Sequence, residues 1–239
     1  MNKLPDALLY INGVVRPAEK NKTYDNICPW TGAVIGQAAD ASPADVNAAI
    51  AAARRAFDQG DWPQQHAQRH AVITKLRDLL FANSAKLVDI ARLEAGAAIG
   101  AAGRAHVNGA LSGLDDLLRC FHDVTWEEDR GRRNEYGFDS DRTVVHEPLG
   151  VVGAITPWNV PMQVNLAKVG PALAAGCTVV LKPAPDTPWS GALLGRLVAE
   201  HTDIPAGVFN VVNTAQSDVA QRLAEDPRVD VVSFTGSTQ

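Results

Sequence analysis

Continuous apolar runs alternate with helical patterns through the second half of the chain, and this alternation leaves few folds open. Runs at Gly150 to Thr156, Thr178 to Leu181, Val208 to Val212 and Val229 to Phe234 are separated by helical spacing near Met162 to Ala174, Ser190 to His201 and Asp218 to Ala224. A strand that is apolar at successive positions must be covered on both faces, and short strands joined through helices pair in parallel. The expectation is an α/β fold, a parallel sheet with helices on both faces. Open sheets of this kind bind ligands at the carboxyl ends of their strands. Those ends carry Thr156, Pro157, Trp158, Asn159, Lys182, Gly236 and Ser237.

The first half supplies cover rather than a second sheet of this type. Leu8 to Val15 places Asn12-Gly13 between two apolar runs, the strongest short-range signal for a β-hairpin. Ser42-Pro43-Ala44-Asp45 combines an N-cap residue with Pro at the first helical position, and the Ala-rich stretch to Phe57 continues with helical spacing. Further helices are expected near Gln65 to Phe81, Ala85 to Glu94 and Gly103 to Phe121. Thr125 to His146 is polar, with Glu127 to Arg133 at its centre, and on its own reads as a solvated loop.

Charge and composition narrow the partners. The formal net charge of −5 argues against binding to a phosphate backbone, which depends on Lys and Arg displacing counterions. No nucleic acid partner is expected. No apolar stretch reaches the ~18 residues of a membrane helix, so no membrane span is expected. The N-terminus lacks the apolar core of a secretory signal, which points to the cytoplasm. Cys28, Cys120 and Cys177 are scattered and without metal spacing, and read as buried thiols in a reducing compartment. His66 and His70 are four apart on an expected helix, but with no third ligand nearby they read as a solvated face, so no metal is expected.

Asn159 is the residue whose chemistry stands out. It follows Pro157 and Trp158 at a strand end, where an amide can donate a hydrogen bond into a cleft without adding charge, as an oxyanion donor must. An isolated Asn before Pro161 would otherwise read as a turn former. Gly236 and Ser237 open an expected helix whose free N–H groups and dipole suit a pyrophosphate, and Trp158 adds an indole N–H.

The segment Glu147 to Pro161 (EPLGVVGAITPWNVP), with Lys168 to Gly176 (KVGPALAAG), Val179 to Pro183 (VVLKP) and Ser233 to Thr238 (SFTGST), resembles the aldehyde dehydrogenase superfamily in order and spacing. The resemblance implies a Rossmann-like fold of the aldehyde-dehydrogenase type. Its parts would be an N-terminal portion of the cofactor-binding domain over 1–124, a β-hairpin oligomerisation arm over 125–148 and the NAD(P)-binding core over 149–239. It implies an enzyme that oxidises an aldehyde to a carboxylic acid through a Cys thiohemiacetal and thioester, with NAD as cofactor and NADP possible, and a homo-oligomer, dimer or tetramer.

By the same resemblance Ile155, Thr156, Pro157, Trp158, Lys182, Gly236 and Ser237 face the cofactor, with Lys182 on the adenosine ribose. A Glu that often takes the ribose hydroxyls three residues after this Lys is replaced here by Pro185. Asn159 would stabilise the oxyanion and Lys168 would lie near the general base. Val160, Val164 and Ala167 would line the aldehyde tunnel, with side chains smaller than is usual there. Phosphate contacts are not assigned to Asn213 to Asp218, which has no Gly.

The family's general-base Glu and nucleophilic Cys have no counterpart before Gln239. The chain taken alone is therefore expected to be inactive and to self-associate through apolar surface. Two alternatives stay open: a non-catalytic nucleotide-binding or interaction protein that truly ends at Gln239, and a coenzyme A-acylating or acyl-phosphate-reducing relative.

Overall fold

The computed structural model describes residues 4–236. Strand β1 (Leu9–Ile11) turns through Asn12 and Gly13, both at positive φ (52° and 84°), into β2 (Val14–Arg16). Such a turn matches the right-handed twist of the strands it joins, and Asn-Gly is the pair that adopts it with least strain. A second hairpin, β3 (Thr23–Ile27) with β4 (Val34–Ala39), follows.

Helix α1 (Pro43–Gln59) starts at a capping box in which Ser42 Oγ accepts from the Asp45 amide and Asp45 accepts from the Ser42 amide. The helices α2 (His66–Ala82), α3 (Ser84–Glu94), the single turn α4 (Ile99–Ala101) and α5 (Gly109–Asp123) complete the first half. The expected helix at Gly103 to Phe121 differs at its start, since Ala102–Asn108 is π-helical. Gly103 and the lack of a side-chain cap leave that stretch without a local signal for ordinary α geometry.

The segment expected on its own to be a solvated loop is a hairpin, β5 (Glu127–Glu135) with β6 (Phe138–Val145). Ion pairs hold it across the strands, Arg132 to Asp139 at 2.9 Å and Arg142 to Glu135 at 2.7 Å. Tyr136-Gly137 forms its positive-φ turn.

The core alternates β7 (Val151–Ile155), α6 (Pro161–Ala175), β8 (Thr178–Lys182), α7 (Pro188–His201), β9 (Phe209–Val211), α8 (Ser217–Glu225) and β10 (Val231–Phe234). The six-stranded sheet has the order β10-β7-β8-β9-β1-β2. Strands β10, β7, β8 and β9 are parallel, and the N-terminal hairpin extends them antiparallel through Tyr10 opposite Val211. Successive residues of one strand feed two cores. Val179 and Leu181 join Leu166, Val169 and Leu194 on one face, while Val180 joins Ile50, Ala53, Val219 and Leu223 on the other. Double burial is the reason these strands read as unbroken apolar runs. Strand β7 begins after Gly150, at φ +127°, where a Cβ would run into the Asp230 carboxylate that caps the Val151 amide at 2.7 Å.

Cys28 and Cys177 are buried as expected, but Cys120 is exposed on α5, whose outer face is open to solvent. His66 and His70 do not form a solvated face; they pack on Trp126 and Phe121 at ring-centroid distances of 4.6 and 5.5 Å. Among the described residues no helix is long and apolar enough to cross a membrane.

Glu94, the last residue of α3, is buried and accepts hydrogen bonds from the amides of Trp189 (2.8 Å) and Ser190 (3.1 Å) and from Ser190 Oγ, closing the first turn of α7. Burial pushes its carboxyl from the ordinary 4.5 up to about 8, and the three donors offset this only in part. The folded protein therefore keeps a proton that the unfolded chain releases, so Glu94 contributes its full stabilisation at acid pH and loses it as pH rises toward 8. Glu94→Gln should flatten the fall in stability between about pH 5 and pH 8, read from urea midpoints across that range; an unchanged slope would remove Glu94 as its source.

Candidate functional site

The carboxyl ends of β7, β8 and β10 and the start of α8 enclose a cleft of about 900 Å³. Its floor is stitched by backbone bonds across the strand ends, Thr156 N to Lys182 O at 3.2 Å and Thr235 N to Ile155 O at 3.1 Å. Ile155, Thr156, Pro157, Trp158, Asn159, Lys182, Pro185 and Gly236 all line it, so the structure brings together most of the residues singled out in the sequence. Ser237 lies outside the described residues.

Lys182 ends β8 and is 9% exposed. Burial lowers the pKa of its ammonium, and Asp186 partly restores it. No hydrogen bond or ion pair to the ammonium is found among the described residues, so a largely buried lysine faces the cleft with donors to spare.

Asn159 also lines the cleft, after the Pro157-Trp158 turn and before Pro161 opens α6. Its Oδ1 accepts from the Val160 amide at 3.1 Å, which leaves the Nδ2 protons as the free end of the side chain. Behind it, Thr156 Oγ1 donates to Asn165 Oδ1 at 2.6 Å, a buried bond that ties the strand end to α6. Trp158 is 57% exposed, an indole standing at the cleft rather than in the core.

Lys168 and Ala167 are not in this cleft. They line a second, mostly apolar one of about 810 Å³ beside β10 and α5, where Lys168 Nζ donates to Ser233 Oγ at 2.8 Å and burial lowers the lysine pKa. Val160 and Val164 line neither cleft and are half-buried on the same helix.

The cleft wall also holds residues to which the sequence assigned no role. Asp186 follows Pro185 directly and stands within electrostatic reach of Lys182. Thr214 to Ser217 form one side, although this loop has no Gly. It is held by buried Asp40, which accepts from Thr214 Oγ1 (3.0 Å), the Ala215 amide (3.1 Å) and Gln216 Nε2 (3.2 Å). The Ala215 amide is thereby engaged within the protein. On α8, Ala220 and Ala224 fall four apart and keep the wall low, with Gln221 beside them. Only the partner across the fold, Asp40, makes this loop recognisable as a wall.

The donor set fits a dinucleotide: an ammonium with no partner among the described residues, a free side-chain amide and an indole N–H line one cleft with mostly apolar walls. Among the described residues no cluster of three or more His, Cys, Asp or Glu is placed to hold a metal ion.

Comparison with known proteins agrees with this geometry. The chain is 35% identical over 232 residues to the NADP/NAD-dependent aldehyde dehydrogenase PuuC of Escherichia coli, covering 97% of this chain and 46% of that protein. It is 36% identical to the aminoacetaldehyde dehydrogenase of Pseudomonas aeruginosa, covering 96% and 45%. The fold superposes on the NAD-dependent aldehyde dehydrogenase of Sinorhizobium meliloti with a TM-score of 0.88 at 38% identity, covering 98% of this chain and 46% of that one. For the Mycobacterium tuberculosis aldehyde dehydrogenase complexed with NAD+ the TM-score is 0.89 at 35% identity, covering 99% and 48%. The chain spans about half the length of the curated relatives it matches. Residues 15–239 match the aldehyde dehydrogenase family, and the chain belongs to that family.

Proposed function

We propose that this chain is the nucleotide-binding portion of an enzyme that oxidises an aldehyde to a carboxylic acid with NAD, or NADP, as hydride acceptor. The observation that carries the reading is the pairing, in one cleft, of the buried residue Lys182, whose ammonium has no partner among the described residues, with an Asn159 amide whose Nδ2 is left free by its own backbone bond. The bound dinucleotide would supply the acceptor for the hydride.

The chain's residues do the rest of the work on this side. Lys182 donates to the ribose hydroxyls, Trp158 and the backbone at Gly236 meet the phosphates, and Ile155, Thr156, Pro157 and Pro185 shape the contact surface. Asn159 donates to the carbonyl oxygen as it becomes an oxyanion under thiolate attack, before a thioester forms and is hydrolysed. Its amide is oriented in advance, so little reorganisation is needed at the moment charge develops. The attacking thiolate and the general base are not supplied by the residues described here. Lys168, with its pKa lowered by burial, lies on the neighbouring apolar cleft and is a positioning group for that base. Val160, Val164 and Ala167 leave room for a bulky aldehyde along α6.

A cytoplasmic homo-oligomer, dimer or tetramer, is the form that best fits the remaining features. Three unpaired thiols suit a reducing compartment. The hairpin β5–β6 is almost wholly exposed, and an isolated two-stranded hairpin is marginal in water. Its root is anchored where Trp126 packs on Arg69 at 4.8 Å, and its strands are free to lie on a second subunit.

Asn159→Ala in the natural protein should lower kcat by about 10²- to 10³-fold while leaving NAD affinity intact, measured by steady-state kinetics and calorimetry. An unchanged kcat would take Asn159 out of the oxyanion role, and nucleotide binding with no turnover in the natural protein would replace the dehydrogenase by a nucleotide-binding protein. Replacing 127–145 with a short Gly-Ser link should reduce the assembly size seen in sedimentation velocity. The same assembly size after that deletion would show that the hairpin is not the interface.

A further inference from the structure

The loop 183–187, between β8 and α7, forms the Lys182 end of the cleft and is poorly equipped to hold its own shape. Pro183, Pro185 and the following Pro188 have no N–H to donate, and its internal backbone bond is Thr187 N to Ala184 O at 3.1 Å. Its shape is instead imposed from outside the nucleotide-binding sheet. Asn26, on β3 and 4% exposed, donates from Nδ2 to Pro185 O (3.1 Å) and to Asp186 O (2.9 Å), across 159 and 160 residues of chain. Glu94 fixes the far end of the loop through the first amides of α7.

The inner side of this loop presents Asp186 to the cleft, beside Lys182. A carboxylate there can accept from a ribose hydroxyl, and it repels a phosphate esterified to the same hydroxyl. Two carbonyls on successive residues aimed at one amide fix both peptide planes around the Asp186 Cα. They thereby fix the direction from which the Asp186 side chain departs.

We propose that Asn26 is a positioning residue for nucleotide specificity: its side-chain amide pins the carbonyls of Pro185 and Asp186 and so holds the Asp186 carboxylate where it favours an unphosphorylated ribose over a 2′-phosphate. The inference rests on the reading of this cleft as a dinucleotide site and adds to it a specificity device supplied by the second hairpin of the chain, β3–β4. Asp186 is the group that meets the ribose, and Asn26 acts through it. Lys182 can donate to the ribose of either nucleotide, so the discrimination is assigned to Asp186.

The test is calorimetric titration of the natural protein with NAD and with NADP, alongside Asn26→Ala, Asn26→Ser, Asp186→Asn and the Asn26→Ala/Asp186→Asn double variant, with thermal melts as a control for folding. Asn26→Ala should weaken NAD binding by about tenfold and NADP binding much less, since two hydrogen bonds to backbone carbonyls are lost. Asn26→Ser keeps a polar side chain too short to reach the two carbonyls and should shift the preference as Asn26→Ala does, which preserves the test should the Ala variant not fold. Asp186→Asn should reproduce the shift in preference with the loop still pinned, and the double variant should be no worse than Asp186→Asn, because both act on one contact. Equal weakening of both nucleotides by Asn26→Ala, or additive losses in the double variant, would overturn the proposal and leave the dinucleotide site standing. Failure of the natural protein to bind either nucleotide would overturn both.

Discussion

Covering a parallel sheet on both of its faces is the constraint from which the rest of this structure follows. Val179, Val180 and Leu181 are buried in succession, toward one core and then the other, so helices must lie above and below β8. With both faces closed, the strand ends are where a ligand can reach the sheet, and the crossover connections place Asn159, Lys182 and Gly236 there together. The cleft is a consequence of the cover, and its chemistry is set by what the loops happen to carry.

Those loops are not self-supporting. The wall at Thr214 to Ser217 is held by Asp40, and the wall at Pro185 and Asp186 by Asn26, with Glu94 closing the helix behind it. Asn26, Asp40 and Glu94 all come from the first hundred residues, outside the alternating core, and all are buried. Side chains of this kind cost desolvation unless their hydrogen bonds are made, so they tie the cleft geometry to the folding of the N-terminal half. The extension of the sheet by β1 and β2 serves the same coupling, since Asn12 N donates to Asn210 Oδ1 at 2.9 Å at the far edge.

Much of the architecture was legible in the residues alone. The Asn12-Gly13 turn, the Ser42 cap and the four apolar runs are local signals, and each produced the expected element within a few residues. The hairpin β5–β6 was legible only through family resemblance, because its strands are charged on both faces and bury nothing within the chain. The β3–β4 hairpin was passed over, since Thr23–Ile27 alternates weakly and carries Asp25 and Asn26, both poor strand formers. Asn26 sits there because it serves a loop far along the chain.

The sequence by itself determined the fold class and the strand-end motif, because hydrophobic period, turn chemistry and capping act over a few residues. It also marked Asn159 and Lys182, whose neighbours in the chain are their neighbours in space. Only the tertiary structure decided that Lys182 is buried, with no partner for its ammonium among the described residues, and that Asp186 rather than position 185 brings a carboxylate to the cleft. It alone separated Lys168 and Ala167 from Asn159 into a second cleft, and set Asn26, Asp40 and Glu94 as supports of the first. The physical reason is that hydrogen bonds and desolvation depend on distances between residues more than a hundred positions apart, and only packing two cores about one sheet sets them.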